Sequence, residues 1–255
     1  MKKLLILIYA IISYTLFLGV FIYAIGFIGN IGITNSLDSM PSQPFYLALS
    51  INVGLLGLFA IQHSIMARPW FKQWITRFIP KAAERATYVL FSNFAMILLF
   101  AYWEPMGGII WQVESTFYQQ IVMAGYALGW LVLLLATFLI NHFHLFGLNQ
   151  PWDEIRGKDE SSSTFVKPFL YKMVRHPIYL GWLIIFWCAP VMTVAHLVFT
   201  LLTTAYIFIG IYFEEADLVD EFGETYEKYQ KDVPMVLPFV KSKKSFNELE
   251  NASQR

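Results

Sequence analysis

A single cysteine, Cys188, stands among 255 residues, so neither an intramolecular disulfide nor a multi-cysteine metal site can form. Charge is scarce as well: Asp, Glu, Lys and Arg make up 14% of the chain, where soluble domains carry roughly 25%. The net formal charge is zero, which offers no argument for a nucleic-acid partner, and none is expected. No His, Cys and acid set has metal-ligand spacing, so no metal is expected. No internal repeat is present. A cleaved leader is not expected either: the apolar run from Leu4 to Ile28 far exceeds the roughly 7–15 residues of a signal-peptide core, and no A-x-A site follows, so the span reads as retained.

What fills the chain instead is apolar sequence, 57% of it, blocked into long runs. About 20 apolar residues suffice to cross a bilayer. Four such runs are plain: Leu4 to Ile28, Phe45 to Met66, Ala86 to Trp103, and Ile121 to Ile140. A fifth block, Ile178 to Phe213, would reach about 54 Å as one helix. It therefore reads as two short arms turning near Ala189-Pro190, where proline interrupts a helix. The expected fold is an all-α polytopic membrane protein of about six spans, the last two forming a short hairpin, with an amphipathic C-terminal helix.

Charge placement tests this layout independently. Bases fall at Lys2 and Lys3, between Arg68 and Arg85, between Arg156 and Arg175, and in the tail from Lys228. The alternate loops, around Asp38 and from Glu104 to Glu114, carry acids and no base. The positive-inside rule then places both termini in the cytoplasm of a cell (inner) membrane protein, which demands an even number of crossings.

Between the spans, Pro69 to Pro80 reads as an interfacial helix, with Trp70, Phe71, Trp74, Ile75 and Phe78 recurring at helical spacing. Gly157 to Thr164, rich in Ser and charge, reads as a mobile cytoplasmic loop. After Glu214-Glu215 a helix continues with Leu218, Phe222, Tyr226, Tyr229 and Val233 on one stripe that should dock back onto the bundle. From Lys241 periodicity is lost, and disorder is expected. The chain so divides into residues 1–156, the N-terminal transmembrane helices and substrate chamber; 165–240, a C-terminal cassette; and 241–255, a tail.

The cassette carries the densest chemistry. It runs Arg175-His176-Pro177-Ile178-Tyr179-Leu180-Gly181, an apolar segment, Glu214-Glu215, then Phe222-Gly223-Glu224-Thr225-Tyr226-Glu227-Lys228-Tyr229 and Val233-Pro234. In this order it resembles the C-terminal half of integral-membrane methyltransferases of the isoprenylcysteine carboxyl methyltransferase type. The resemblance implies an S-adenosylmethionine site. That molecule presents a carboxylate, an ammonium, a sulfonium, a ribose diol and an adenine, so its pocket needs a cation, an acid and aromatic surface. Arg175 can pair with the carboxylate, His176 can donate to a ribose or carboxylate oxygen, and Glu214 or Glu215 can accept from the diol or ammonium. Tyr179, Tyr226 and Tyr229 offer ring faces to a sulfonium. Gly181 would let the cofactor approach the backbone, and Pro177 fits the first turn of a helix. Taken alone, an Arg-His pair at a membrane boundary reads as a topology anchor and paired glutamates as a solvated helix end. Their joint order favours the methyltransferase.

The N-terminal half narrows the class. Gln62-His63-Ser64-Ile65-Met66-Ala67-Arg68-Pro69, then Phe71 to Trp74, Thr76 to Phe78, Glu84-Arg85-Ala86-Thr87-Tyr88-Val89-Leu90, and Asn141 to Gln150 are similar to blocks of the methanethiol S-methyltransferase family. The resemblance implies aspartate where His144 stands and arginine where Asn149 stands, two departures. It also implies methylation of a small thiol, the family's methanethiol, to dimethyl sulfide. A thiol attacks as thiolate, with a reference pKa about 8.5. His63 or His144 can accept its proton, Arg85 can stabilise the anion, and Tyr88, Glu84 and Gln150 complete a polar chamber at the cytoplasmic span ends. His142 and His196 read as structural. The expected partners are the thiol and the bilayer, with no obligate protein partner evident. Two alternatives stay open at this point: O-methylation of a prenylated cysteine, and an NADPH-dependent reductase of the sterol-reductase type.

Overall fold

The computed structural model describes residues 1–158 and 165–238. The expected loop from Gly157 to Thr164 lies mostly, and the expected disordered tail from Lys241 wholly, outside the described residues. The elements follow in chain order: α1 (Lys2–Gly29), α2 (Phe45–Ala67), α3 (Pro69–Ile75), α4 (Glu84–Tyr102), β1 (Ile109–Gln112), α5 (Thr116–Leu139), α6 (His142–Leu145), α7 (Asn149–Arg156), α8 (Pro177–Trp187), β2 (Val191–Thr193), α9 (Val194–Phe222) and α10 (Glu224–Asp232). Among the described residues five helices, α1, α2, α4, α5 and α9, are long and apolar enough to cross a bilayer. Large apolar side chains such as Ile12, Ile22, Ile61, Leu131 and Phe138 face outward on them, as helices that are hydrophobic all round do in lipid.

The C-terminal hairpin departs from the expected two short arms. Its first arm, α8, has 11 residues and rises about 16 Å, roughly half a hydrocarbon core. Its second arm, α9, has 29. The chain between them is non-helical at Ala189-Pro190, where the turn was expected, and then forms β2. This strand pairs antiparallel with β1, Ile109 opposite Thr193 and Gln112 opposite Val191. Neither strand was legible in the sequence, because three or four residues carry too little periodicity to read. The interfacial helix is also shorter than expected: α3 stops at Ile75 and Arg77 to Ile79 continue as turns, with Trp70, Trp74 and Phe78 exposed.

Glycine sets the hairpin against α5. A Cβ on Gly129 would come within 2.8 Å of the Ile185 side chain and 3.0 Å of the Gly181 carbonyl, and one on Gly181 within 2.8 Å of the Leu133 amide nitrogen. Gly125, one turn before Gly129, meets Cys188 in the same way. Small residues four apart let two backbones touch where lipid provides no hydrophobic drive for association.

The opposite end is tied by a buried acid. Asp38, in the connection between α1 and α2, accepts hydrogen bonds from His196 Nδ1 (2.8 Å), the Thr193 hydroxyl and the Asn30 amide, and Thr193 caps α9 by accepting the His196 N–H (3.1 Å). Burial works to raise the Asp38 pKa, but the hydrogen bond and charge of His196, with Thr193 and Asn30, outweigh it and hold the carboxyl below its usual range. A depressed carboxylate contributes stability above its unfolded value, about 3.9, and that contribution is lost as pH falls through the lower folded value.

Past Glu214-Glu215 the helix continues as expected, yet it breaks at Gly223, whose φ of 55° suits glycine. The break lets α10 fold back. Leu218, Phe222, Tyr226, Tyr229 and Val233 then pack together with Phe165.

Candidate active site

The chain re-enters the bundle beside the start of α8. Arg175 and His176 donate their backbone N–H groups to the carbonyls of Pro234 (2.9 Å) and Met235 (3.0 Å), which lays the segment after α10 alongside them. The Arg175 side chain is only 6% exposed. It donates from Nε to Glu215 Oε1 (2.7 Å), from Nη2 to Glu215 Oε2 (3.3 Å), and from Nη1 to the carbonyls of Gln230 and Val233 (both 2.7 Å). Glu215 also receives Gln230 Nε2 (2.9 Å) and pairs with His176 Nε2 (3.0 Å). A buried guanidinium with a bidentate carboxylate and two carbonyls has its donors directed into the protein. This cluster locks α9, α10 and the start of α8 together.

Tyr226 and Tyr229 belong to the same brace. Both are 2% exposed. Their ring surfaces meet Phe165, which lies edge-on to each, and Lys167 Nζ sits 4.7 Å from the Tyr229 ring centroid. The Tyr229 hydroxyl donates to the Tyr171 carbonyl. Burial pushes its pKa up to about 12, opposed by Arg175 and aided by Glu215, so it remains a donor at any physiological pH. Pro177 opens α8 as expected, whereas Gly181 faces α5 rather than open space.

A second group is open. Glu214, adjacent to Glu215, has a side chain 45% exposed, and its Oε2 lies 3.7 Å from His176 Nδ1. Tyr179 lies beside it. From the N-terminal half, Tyr88 is within electrostatic reach of Glu214, Arg85, Glu84 and Tyr206, and Tyr179 is within reach of Tyr206 and Tyr88. The two sequence blocks therefore converge on one place. There the Tyr88 hydroxyl meets His63 Nε2 (2.7 Å), the Arg85 guanidinium carbon sits 4.9 Å from the Tyr88 ring centroid, and Arg85 Nε donates to the Leu145 carbonyl (2.7 Å). Gly147 (φ 85°) allows this last contact, since a Cβ there would come within 2.6 Å of the Ala86 backbone nitrogen.

The expected residues from 142 to 150 lie over this corner without all entering it. His144 is exposed; its backbone N–H donates to Asn141 Oδ1 (3.2 Å) and its carbonyl accepts from Gln150 Nε2 (3.0 Å). His142, read as structural, is buried between the Tyr14 and Thr137 hydroxyls (2.9 Å each) and stacked on Phe138. Burial lowers its pKa, which keeps it neutral.

Sequence reasoning missed Ser92, Tyr206, Ser64 and Gln230. Ser92 follows Tyr88 by four residues, a spacing that puts both on one helix face. Ser64 and Tyr206 pair their hydroxyls across α2 and α9 (3.0 Å), and a hydroxyl in an apolar span was the available signal. The side-chain oxygens Gln62 Oε1 and Gln150 Oε1 are buried without a hydrogen-bond partner among the described residues. Such acceptors call for a donor from a ligand or water.

The known proteins that this chain is similar to point the same way. The pattern of the isoprenylcysteine carboxyl methyltransferase (ICMT) family matches residues 127–220, a stretch that includes Arg175, His176, Glu214 and Glu215. Methanethiol S-methyltransferase of Crocosphaera subtropica is 50% identical, covering 93% of both chains. The enzyme of that name from a Pseudomonas species is 47% identical over 91% of this chain and 89% of its own, and that of Mycobacterium tuberculosis 44% identical over 94% and 98%. No solved structure matches the chain. With near half of all positions identical over almost the whole length, and neither the carboxyl-methylation nor the reductase alternative favoured, the chain is a membrane methyltransferase and belongs to the methanethiol S-methyltransferase family.

Proposed function

We propose that the protein transfers the methyl group of S-adenosylmethionine to methanethiol, giving dimethyl sulfide and S-adenosylhomocysteine, at the cytoplasmic face of the cell membrane. The observation that carries this reading is the convergence of Tyr88, His63 and Arg85 from the N-terminal half with Glu214 and Tyr179 from the cassette. The methyl donor fits the residues present: Glu214 is an accessible carboxylate with Tyr179 beside it, and Gln62 and Gln150 each hold a buried side-chain oxygen without a partner among the described residues. When bound, it supplies an electrophilic methyl on a sulfonium, with a neutral thioether as leaving group.

Glu214, half-exposed and hydrogen-bonded to Tyr179, is the acid that can also accept from the donor's ammonium or diol, while Glu215 is engaged with Arg175. Arg175, Tyr226 and Tyr229 act from behind, by holding α9 at the depth that presents Glu214. Tyr179 and Tyr88 turn aromatic surface toward a cationic sulfur. Arg85 and the imidazole of His63 lower the cost of forming a thiolate, and alignment in a water-poor site does the rest. The acceptor half, residues 1–156, and the donor half, 165–240, thus contribute opposite walls of one chamber.

Purified protein given methanethiol and S-adenosylmethionine is expected to release dimethyl sulfide into the gas phase, and to bind S-adenosylhomocysteine but not NADPH in calorimetry. NADPH binding without S-adenosylhomocysteine binding, or turnover of farnesylcysteine with none of thiols, would overturn the reading. The segregation of Lys and Arg supports a cytoplasmic position for both termini. In a Cys188→Ala background an impermeant thiol reagent on intact cells is expected to label Met40→Cys, which lies on the acidic side at an exposed position, and to spare Gln73→Cys; the reverse pattern rejects this orientation.

A further inference from the structure

His63 cannot touch a substrate with either nitrogen. Nε2 is 2.7 Å from the Tyr88 hydroxyl, Nδ1 is 3.3 Å from Ser92 Oγ, and the ring is stacked on Phe59 at 5.2 Å between centroids. The Tyr88 oxygen, in contrast, uses one contact on His63 and keeps acceptor capacity, with Arg85 over its ring and Glu214 within electrostatic reach.

Ser92 decides which way the protons run. Its hydroxyl has one hydrogen, and that hydrogen goes to the Tyr88 carbonyl one helical turn back (3.0 Å). Toward His63, Ser92 Oγ can then only accept, so the imidazole hydrogen sits on Nδ1 and the lone pair on Nε2. The Gln62 amide, 3.5 Å from the same oxygen, is a donor too and reinforces its acceptor role. An Nε2 lone pair facing a hydroxyl 2.7 Å away is a proton acceptor for it.

We infer that Ser92 is a positioning residue that fixes His63 in the Nδ1–H tautomer, and that Tyr88 is the group that meets the thiol and relays its proton to His63. This rests on the thiol-methylating reading above. As the S–H bond breaks, its proton goes to the Tyr88 oxygen while the tyrosine O–H proton passes to His63 Nε2. The products are a thiolate, an unchanged tyrosine and an imidazolium whose Nδ1–H stays on Ser92. The thiolate electron pair forms the new S–C bond, the sulfonium C–S pair leaves with the departing thioether, and the imidazolium returns its proton through Tyr88 to water. Arg85, over the Tyr88 ring, stands where the thiolate charge develops.

The test reads the tautomer directly. In protein labelled with [15N]histidine and free of substrates, the His63 resonances are those absent from His63→Gln, and they are expected to report a protonated Nδ1 and a bare Nε2. Ser92→Ala is expected to mix the tautomers and to lower kcat for methanethiol about 3- to 10-fold, the scale of one lost hydrogen bond, with KM for the methyl donor unchanged. Ser92→Thr, which keeps the hydroxyl, is expected to restore both. A protonated Nε2 in the wild-type protein, or a Ser92→Ala variant with unaltered tautomer and kcat, overturns the inference. Because the nitrogen shifts need no turnover, they decide it whether or not the thiol reading stands.

Discussion

Glu215→Ala is expected to destabilise the C-terminal cassette by about 3–5 kcal/mol, the usual consequence of removing one partner from a buried ion pair. The reason is what stays behind. Arg175 is 6% exposed and cannot reach water, His176 loses its 3.0 Å partner, and Gln230 loses the carboxylate that anchors α10. The two carbonyls on Arg175 Nη1 cannot neutralise a full charge. Thermal unfolding in detergent should show a lowered midpoint, and calorimetry should show S-adenosylhomocysteine binding lost with it. Glu214→Ala separates support from contact. Its side chain is 45% exposed, so the midpoint should hold, while ligand affinity falls about 10- to 100-fold for one charged hydrogen bond. Equal unfolding midpoints for the two variants would show that the adjacent acids do not divide in this way.

Tyr88→Phe and His63→Ala are each expected to lower kcat for methanethiol about 10²- to 10⁴-fold, the range of a positioned acid–base group. The two losses should be far from additive, because each variant interrupts the same 2.7 Å contact. Stopped or steady-state assays at saturating methyl donor suffice to measure this. His144→Ala is the control. Its ring is exposed and its contacts to Asn141 and Gln150 are made by the backbone, so the change should stay within about twofold, as for surface substitutions. A loss in His144→Ala that matches His63→Ala would return the acceptor role to residues 142–150.

The membrane helices were legible because their cause is local. Lipid requires every backbone group to be paired within the helix, so runs such as Phe45 to Met66 and Leu4 to Ile28 announce themselves, and α2 and α1 match them within a few residues. The clustering within the cassette was also legible, since Arg175, His176 and the two glutamates follow the order of the family the chain resembles, and they do meet. Unequal hairpin arms and the β1–β2 pair were not, because both depend on where α5 receives α8 through Gly125, Gly129 and Gly181.

By itself the sequence determined the membrane class, the family and the set of polar residues from which a site is proposed. The division of labour within that set came only from tertiary structure. Glu214 and Glu215 are chemically identical neighbours, but successive residues on a helix point about 100° apart, and only the return of residues 233–236 beside Arg175 and His176 makes one of them a buried counter-ion. In the same way Tyr226, Tyr229 and Tyr179 are equal candidates for a ligand's ring partner until Gly223 reverses the chain and packs the first two beneath Phe165. Which of several like side chains faces a ligand depends on long-range packing geometry, and no local pattern encodes it.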